Sequence, residues 1–364
     1  MKILVFSWRD QAHPWAGGSE LNLFSQAKLW QQWGHEVTVF TASFRGAERE
    51  EIKDGIRVIR RGGRWGVYIW AVVYYLLFLR RSTDVILDIM NGIPFFTPLY
   101  SRKPIVALVH HVSSEQMKKE LSAPLSALGN FLQLKLFPKV YRGKKIISVS
   151  PSTSEALKKI GIAENNITII HNGLDHEMLR PTREKTTFPS IIYLGRLKKY
   201  KRLSLLIDAF TKILTEFPQA RLFLVGTGDE ETSLRNLTKK YNLADRVTFS
   251  GFVTDQEKVD LLSQSWVFVT PSLVEGWGLS VLEANACGTP AIAFAVPGLQ
   301  NSIVDQKTGF LIHNPRELED KLRLILSDGS LRDSLSQHAS SWSQKFNWKR
   351  SAEESIKTLK NVCE

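Results

Sequence analysis

Two doubly wound α/β domains are predicted by three observations. Short apolar runs alternate with helix-period segments, the signature of βαβ units and a parallel sheet. The alternation occurs twice, on either side of a charged segment with two prolines, Glu177–Pro189, which reads as a linker. The chain has 364 residues, more than one hydrophobic core usually serves. With 43% hydrophobic and 23% charged residues, the composition is that of a globular protein and excludes disorder, collagen-like repeats and coiled-coil fibres.

In the first half, strands are predicted at 3–8, 37–42, 56–60, 84–90, 105–110, 146–150 and 167–171. A helix over 19–33 carries Leu23, Ala27 and Trp30 on one stripe and stops at Gly34. In the second half, strands are predicted at 190–194, 221–225, 247–250, 267–270, 291–294 and 310–312, with helices over 202–217, 229–241, 255–265 and 279–287 between them. The last helix, about Trp348–Val362, is long enough to pack away from its own domain. The expected division is therefore a first domain of residues 1–175 together with a terminal helix of about 346–364, and a second of residues 176–345.

The apolar run Ile3–Trp8 is shorter than the core of a secretion signal, and Val67–Leu79 falls short of the ~20 residues of a membrane span. A cytoplasmic location is expected, with the sequons at Asn166 and Asn236 unused. Two cysteines, Cys287 and Cys363, are too few for a disulfide scaffold or a cysteine-based zinc site. The net charge of +12 is uneven: residues 1–175 hold 23 Lys+Arg against 14 Asp+Glu, an excess of +9, and the remainder supplies +3. An anionic partner for the first half is implied, and nucleic acid, a membrane surface or a phosphorylated substrate would each satisfy it.

Ligands of doubly wound sheets bind at the carboxyl ends of the strands. After the first strand, Arg9–Ala16 leads into Gly17-Gly18-Ser19-Glu20 at a helix start, where backbone N–H groups can approach an anion. A G-x-G-x-x-G dinucleotide fingerprint is missing there, which argues against an NAD-dependent oxidoreductase. After the strand 190–194, Gly195 is followed by Arg196, Lys198, Lys199, Lys201 and Arg202, a cluster suited to a diphosphate. After the strand 267–270, a glycine-punctuated loop holds Glu275, a helix begins near Gly278, and Glu283 follows eight residues after Glu275. That spacing can give one carboxylate to a sugar and the other to a second hydroxyl-bearing group, with the N–H groups of Gly278 and Leu279 between them for a phosphate.

The stretch Glu275-Gly276-Trp277-Gly278-Leu279, Leu282-Glu283-Ala284 and Gly288-Thr289-Pro290 resembles the E-x7-E signature of the retaining GT-B glycosyltransferases of family 4. Gly17-Gly18, Arg196 and Lys201, His171-Asn172-Gly173-Leu174-Asp175, Val225-Gly226-Thr227-Gly228 and the Trp-x-x-x-Phe-Asn-Trp run ending at Trp348 fall in the order of that family. The resemblance implies a GT-B architecture of two Rossmann-like domains facing a central cleft. It implies a retaining hexosyl transfer from a UDP- or GDP-linked sugar to an acceptor hydroxyl. Arg196 and Lys201 would hold the donor diphosphate, with Gly17 and Gly18 closing on it. Glu283 would take the ribose hydroxyls, and Glu275, with Gly278 and Leu279 beside it, the donor sugar and phosphate. His110 would sit by the sugar and the acceptor, and Glu20 and His111 on the acceptor side, although His111 stands where many relatives have Asp.

No Asp-x-Asp occurs among the 14 aspartates, so Arg196 and Lys201 rather than a metal are expected to supply positive charge, and no cofactor is expected beyond the donor. Basic flanks at Arg60, Arg61, Arg64, Arg80 and Arg81, and the aromatics Tyr68, Trp70, Tyr74, Tyr75 and Phe78, make Val67–Leu79 either an interfacial helix or a core helix. The stretch Met117–Lys145, with Lys118, Lys119, Lys135, Lys139, Arg142, Lys144 and Lys145, reads as a surface for an anionic lipid or a phosphate-bearing acceptor. A polyprenyl-phosphate-linked or glycolipid acceptor at the inner face of the cell membrane is the expectation, and nucleic acid is not. The rival readings are a nucleotide-sugar epimerase or a phosphorylase of the same fold, and a basic nucleic-acid-binding protein, which lacks any recognised motif.

Overall fold

The computed structural model describes residues 1–112 and 122–364, so Met117, Lys118 and Lys119 of the basic stretch lie outside the described residues. The chain forms two compact units, Met1–Gly173 with Trp348–Glu364, and Leu174–Asn347.

The first unit is built on an eight-stranded sheet: β1 (Lys2–Phe6), β2 (Glu36–Ala42), β3 (Glu50–Lys53), β4 (Ile56–Arg61), β5 (Val85–Met90), β6 (Ile105–Val109), β7 (Lys145–Ser148) and β8 (Ile167–Ile169). Their order is β3-β4-β2-β1-β5-β6-β7-β8. All neighbours are parallel except β3, which pairs antiparallel with β4 at the edge. Every residue of β5 and β6 is buried, as expected of central parallel strands covered on both faces.

Helix α1 (Gly18–Gln32) buries Leu23, Ala27 and Trp30 as its stripe predicts. The Trp30 indole N–H donates to the Ala352 carbonyl at 3.0 Å and so fastens the terminal helix Trp348–Asn361. A second contact closes the same seam, where the Ser355 hydroxyl donates to Gln26 Oε1 at 2.5 Å.

Helix α2 (Gly63–Tyr74) continues through a π turn, Tyr75–Leu79, and separates the two readings of that segment by face. Val67, Ala71, Tyr75 and Leu79, four residues apart, are buried. On the opposite side Ile69, Leu77 and Phe78 are 70%, 68% and 63% exposed, with Trp65, Trp70, Val73 and Leu76 also in solvent. Within the second basic stretch, Leu125, Leu128 and Phe131 of the helix Ala123–Phe131 are likewise exposed. Lys135 and Lys139 follow them in the chain and are exposed too.

The second unit carries a six-stranded sheet: β9 (Ser190–Leu194), β10 (Arg221–Val225), β11 (Val247–Gly251), β12 (Val267–Thr270), β13 (Ala291–Phe294) and β14 (Gly309–Ile312). Its order is β11-β10-β9-β12-β13-β14, and all neighbours are parallel. Helices α3 (Leu203–Ile213), α4 (Glu231–Lys240), α5 (Asp255–Gln264), α6 (Leu279–Ala286), α7 (Pro315–Ser327) and α8 (Gly329–Ser343) complete it. This is the doubly wound order, in which the chain reverses direction at the β9/β12 boundary and opens a crevice at the strands' carboxyl ends. The corresponding switch in the first sheet lies at β1/β5.

The segment Glu177–Pro189, predicted as a linker, is instead strapped to the second unit. Thr182 Oγ1 donates to Asp260 at 2.8 Å, the Thr186 amide to the Gln264 carbonyl at 3.0 Å, and Lys185 Nζ to the Ser265 carbonyl and Thr289 Oγ1 at 2.7 Å each. Prolines and charges mark irregular backbone here, and that backbone is satisfied by hydrogen bonds rather than by solvent. Among the described residues no helix is long and apolar enough to cross a membrane.

Candidate active site

In the second unit, the loops after β9 and β12 meet at the switch point. The Leu273 amide donates to the Tyr200 carbonyl at 2.9 Å, and Arg202 Nε donates to the Pro271 carbonyl at 2.7 Å. Across this zipper the Lys201 ammonium is hydrogen-bonded to Glu275 Oε1, which also accepts from the Ser272 hydroxyl at 2.9 Å. Lys201 is 9% exposed. Burial alone would lower its pKa, but the Glu275 carboxylate outweighs that and holds it above the ordinary lysine value. Arg196 is exposed beside this pair in sequence, and its guanidinium donates to the Tyr200 hydroxyl at 3.0 Å. Of the five cations in the cluster, Arg202 is structural: it adopts a left-handed backbone at φ 53° and lies 4.1 Å from the centroid of the Phe294 ring.

Gly278 caps α6, which leaves the Leu279 N–H outside the intrahelical ladder, as the sequence suggests. Glu283 faces inward at 8% exposure and pairs with Lys258 of α5 at 3.2 Å, which in turn reaches Asp255 at 3.1 Å. Trp277 packs edge-on against Phe346 at 5.2 Å between centroids, and Phe346 against Trp342 at 5.3 Å. The Trp-x-x-x-Phe residues of the late aromatic motif therefore brace the loop that carries Glu275. Ser272, Lys258, Tyr200 and Gly298, whose Cα approaches the Glu275 and Gly276 backbone, were not singled out in the sequence. Their only signal there is proximity to the motif loops or, for Lys258, a place on a helix that reads as solvated.

In the first unit, α1 begins directly after Gly17, so the amides of Gly18 and Ser19 lie outside the helical ladder. The Glu20 carboxylate is buried and accepts from the Gly17 amide at 2.7 Å, the Ser19 hydroxyl at 2.8 Å, Arg9 Nε at 3.2 Å and Asn91 Nδ2 at 3.2 Å. Glu20 thus holds the Gly17-Gly18 loop from beneath rather than presenting a carboxylate to an acceptor. Asn91, just past β5, and Arg9, just past β1, clamp this loop from both sides of the switch point.

His110 follows directly on β6 with 6% exposure, and among the described residues its Nε2 has no hydrogen-bond partner. Its backbone carbonyl is fixed by the Thr153 hydroxyl at 3.1 Å. Burial first, then His111 and Arg9, push its pKa down to about 3, so the ring is neutral at physiological pH. His111 is half-buried beside it.

This shift ties stability to pH. In the unfolded chain the imidazole binds a proton below about pH 6.5, whereas the folded ring stays neutral down to about 3. The unfolded state therefore holds the extra proton between these values. The contribution is complete above pH 6.5 and is lost as the pH falls, by about 1.4 kcal/mol per pH unit. Urea unfolding of wild type and His110→Asn at pH 4, 5 and 6 should show that difference in slope, and parallel lines would contradict it.

The comparisons with known proteins agree across the chain. The family model described as Glycosyltransferase Family 4 matches residues 16–178, and that described as Glycosyl transferases group 1 matches residues 175–342. An uncharacterized glycosyltransferase of Methanocaldococcus jannaschii is 26% identical over 399 aligned positions, covering 100% of this chain and 99% of the relative. Among solved structures, sucrose-phosphate synthase from Thermosynechococcus elongatus superposes with a TM-score of 0.85 at 22% identity, covering 99% of this chain and 98% of that one. Anabaena HepE in complex with UDP-glucose superposes with a TM-score of 0.79 at 20% identity, covering 99% and 100%. Two parallel α/β sheets, loops joined at each switch point and matches to both halves have one reading: the chain is a GT-B glycosyltransferase of the family 4-like kind.

Proposed function

We propose that this glycosyltransferase moves a hexose-type sugar from a UDP- or GDP-linked donor to an acceptor hydroxyl with retention of configuration and without a metal ion. The observation that carries the reading is the buried Lys201–Glu275 pair, which joins the two loops at the β9/β12 switch point beside Arg196. A diphosphate at these strand ends would be met by the Arg196 fork and by the remaining N–H donors of the Lys201 ammonium. Glu275 holds that ammonium in place and turns its free oxygen to donor-sugar hydroxyls. Glu283 is the group for the ribose, released from Lys258 as the nucleoside enters. The similar Anabaena HepE structure is a complex with UDP-glucose, which supports a nucleotide sugar as the donor class.

Retention without a nucleophile implies attack on the face the diphosphate is leaving. The glycosidic bond stretches toward an oxocarbenium ion, the departing phosphate oxygen takes the acceptor proton, and the enzyme's main contribution is to stabilise the charge growing on the diphosphate. His110, neutral and with no partner at Nε2 among the described residues, is suited to hydrogen-bond a sugar hydroxyl and unsuited to act as a cationic acid. The apolar outer face of α2, flanked by Arg80 and Arg81, supports a lipid-linked or membrane-proximal acceptor in glycan or glycolipid synthesis.

The test is incubation with UDP- and GDP-α-hexoses in EDTA, following the anomer first formed by NMR. Release of α-product is expected, and a β-product or a strict metal requirement would overturn the mechanism. Thermal shifts with UDP and GDP choose the base. Sedimentation with anionic vesicles at low salt is expected for wild type and should fall at least fivefold in Ile69→Glu/Leu77→Glu. No sedimentation of wild type removes the membrane part alone.

A further inference from the structure

One cluster in the first unit is used by none of the donor contacts proposed above. At the carboxyl ends of β1 and β2, Trp8, His13, Trp15 and Phe44 come together with Arg64 and Trp65 at the start of α2. His13 stands 5.5 Å from Trp15 and 5.0 Å from Phe44 between ring centroids, and Trp8 lies 6.4 Å from Trp15. The Arg64 guanidinium is 5.6 Å from the Trp15 centroid and 5.0 Å from that of Trp65.

Trp15 and Trp65 are 50% and 52% exposed, and one guanidinium, that of Arg64, lies against both rings. The loop that carries Trp15 is nonetheless built. The Trp8 indole N–H donates to the Arg64 carbonyl at 3.2 Å, Arg9 donates to the Trp15 carbonyl at 2.5 Å, and the Trp15 amide donates to His13 Nδ1 at 3.0 Å. That last bond puts the proton of the neutral His13 ring on Nε2, where it is a donor. Arg64 is exposed, and no carboxylate pairs with it among the described residues.

We infer that this cluster is the acceptor platform, and that the acceptor presents a pyranose ring carrying an anionic group. Two half-exposed indoles match the C–H face of a sugar ring, which is apolar while its rim of hydroxyls is polar. Phe, Tyr and Trp faces are also the partners of cations, so the Arg64 guanidinium between two indoles is held in place for an anion at the rim of that ring. Gly17 follows Trp15 by two residues, so the platform adjoins the start of α1, where the Gly18 and Ser19 amides lie outside the helical ladder. An excess of +9 over residues 1–175 favours an anionic acceptor on the same grounds. The glycosyltransferase reading is used only to name the bound saccharide as acceptor; the platform itself is tested without turnover.

Saturation-transfer NMR with glucose 6-phosphate and with glucose, each in the presence of UDP, is the experiment. Wild type is expected to saturate the ring protons of glucose 6-phosphate more strongly than those of glucose. Trp15→Ala/Trp65→Ala should lose that signal at least fivefold while keeping the thermal shift given by UDP. Arg64→Gln should bring glucose 6-phosphate down to the level of glucose. The inference is overturned by a wild type that does not saturate glucose 6-phosphate, by a signal that survives the double substitution, or by indole variants that lose only binding to anionic vesicles. Loss of the UDP shift in Lys201→Ala would speak to the donor site and leave these outcomes unchanged.

Discussion

Lys201→Ala is expected to lower kcat/KM for donor turnover by about 10- to 150-fold. That range corresponds to roughly 1.5–3 kcal/mol, the usual worth of a hydrogen bond to a charged group. Its expression is specific because Lys201 has two jobs that can be separated. In the free protein its ammonium is the buried partner of Glu275, so its removal leaves a half-buried carboxylate without a cation and costs stability as well as rate. During the proposed reaction it faces a diphosphate whose charge grows as the glycosidic bond breaks, an interaction stronger in the transition state than in the ground state. In Lys201→Ala/Glu275→Ala the stranded carboxylate is gone, so thermal stability should recover part of the way toward wild type, whereas turnover should not. Rates of UDP or GDP release over a range of donor concentrations from well below KM to saturation, measured well below each variant's Tm, give kcat/KM and kcat for each. Single-variant turnover within threefold of wild type, or recovery of turnover in the double variant, would remove Lys201 from the diphosphate site.

That Lys201 and Glu275 form one unit was not legible in the sequence, although both residues were. They lie 74 residues apart, and spacing reports which helix or strand end a side chain occupies, not which loop it meets. The strands of the second sheet were legible because Ser190–Leu194, Arg221–Val225, Val267–Thr270 and Ala291–Phe294 are buried runs framed by glycine, proline or charge. Strand β3 was not. Its sequence Glu-Glu-Ile-Lys is mostly exposed and lacks alternation, and it is held at the sheet edge by ion pairs from Glu50 to Arg57 at 2.9 Å and to Arg61 at 2.7 Å. The helix expected from Arg202 begins one residue later because Arg202 takes a left-handed backbone to reach the Pro271 carbonyl. Glu283 is a similar case: helix period alone makes it a solvated position, and only the approach of Lys258 from α5 explains its burial. The exposed face of α2 was legible in composition and ambiguous in meaning, since an i, i+4 stripe and a surrounding apolar sleeve use the same residues.

Gly298→Ala, a change eight residues past the signature, should be among the most damaging single-methyl additions in the second unit. Gly298 has φ +90°, and a Cβ placed there would stand 2.2 Å from the Glu275 carbonyl oxygen, 2.8 Å from its carbonyl carbon and 2.9 Å from that of Gly276. These are backbone atoms, so no rotamer change relieves the contact; either the Gly298 turn or the Glu275 loop must move. Left-handed strain for a non-glycine residue costs about 1–3 kcal/mol before the clash is counted. A total near 2–4 kcal/mol corresponds to a fall in Tm of roughly 5–15 °C for a unit of this size. The loop that yields carries Glu275, braced on its other side by Trp277 against Phe346, so displacement shifts the carboxylate relative to Lys201 and turnover should fall more than tenfold even where the protein is folded. Gly161→Ala is the control, since φ there is +98° with nothing within 4 Å of the added methyl. It should show the conformational cost alone, with turnover unchanged. If Gly298→Ala loses no more Tm than Gly161→Ala and keeps its rate, the close approach of the two loops is not what positions Glu275.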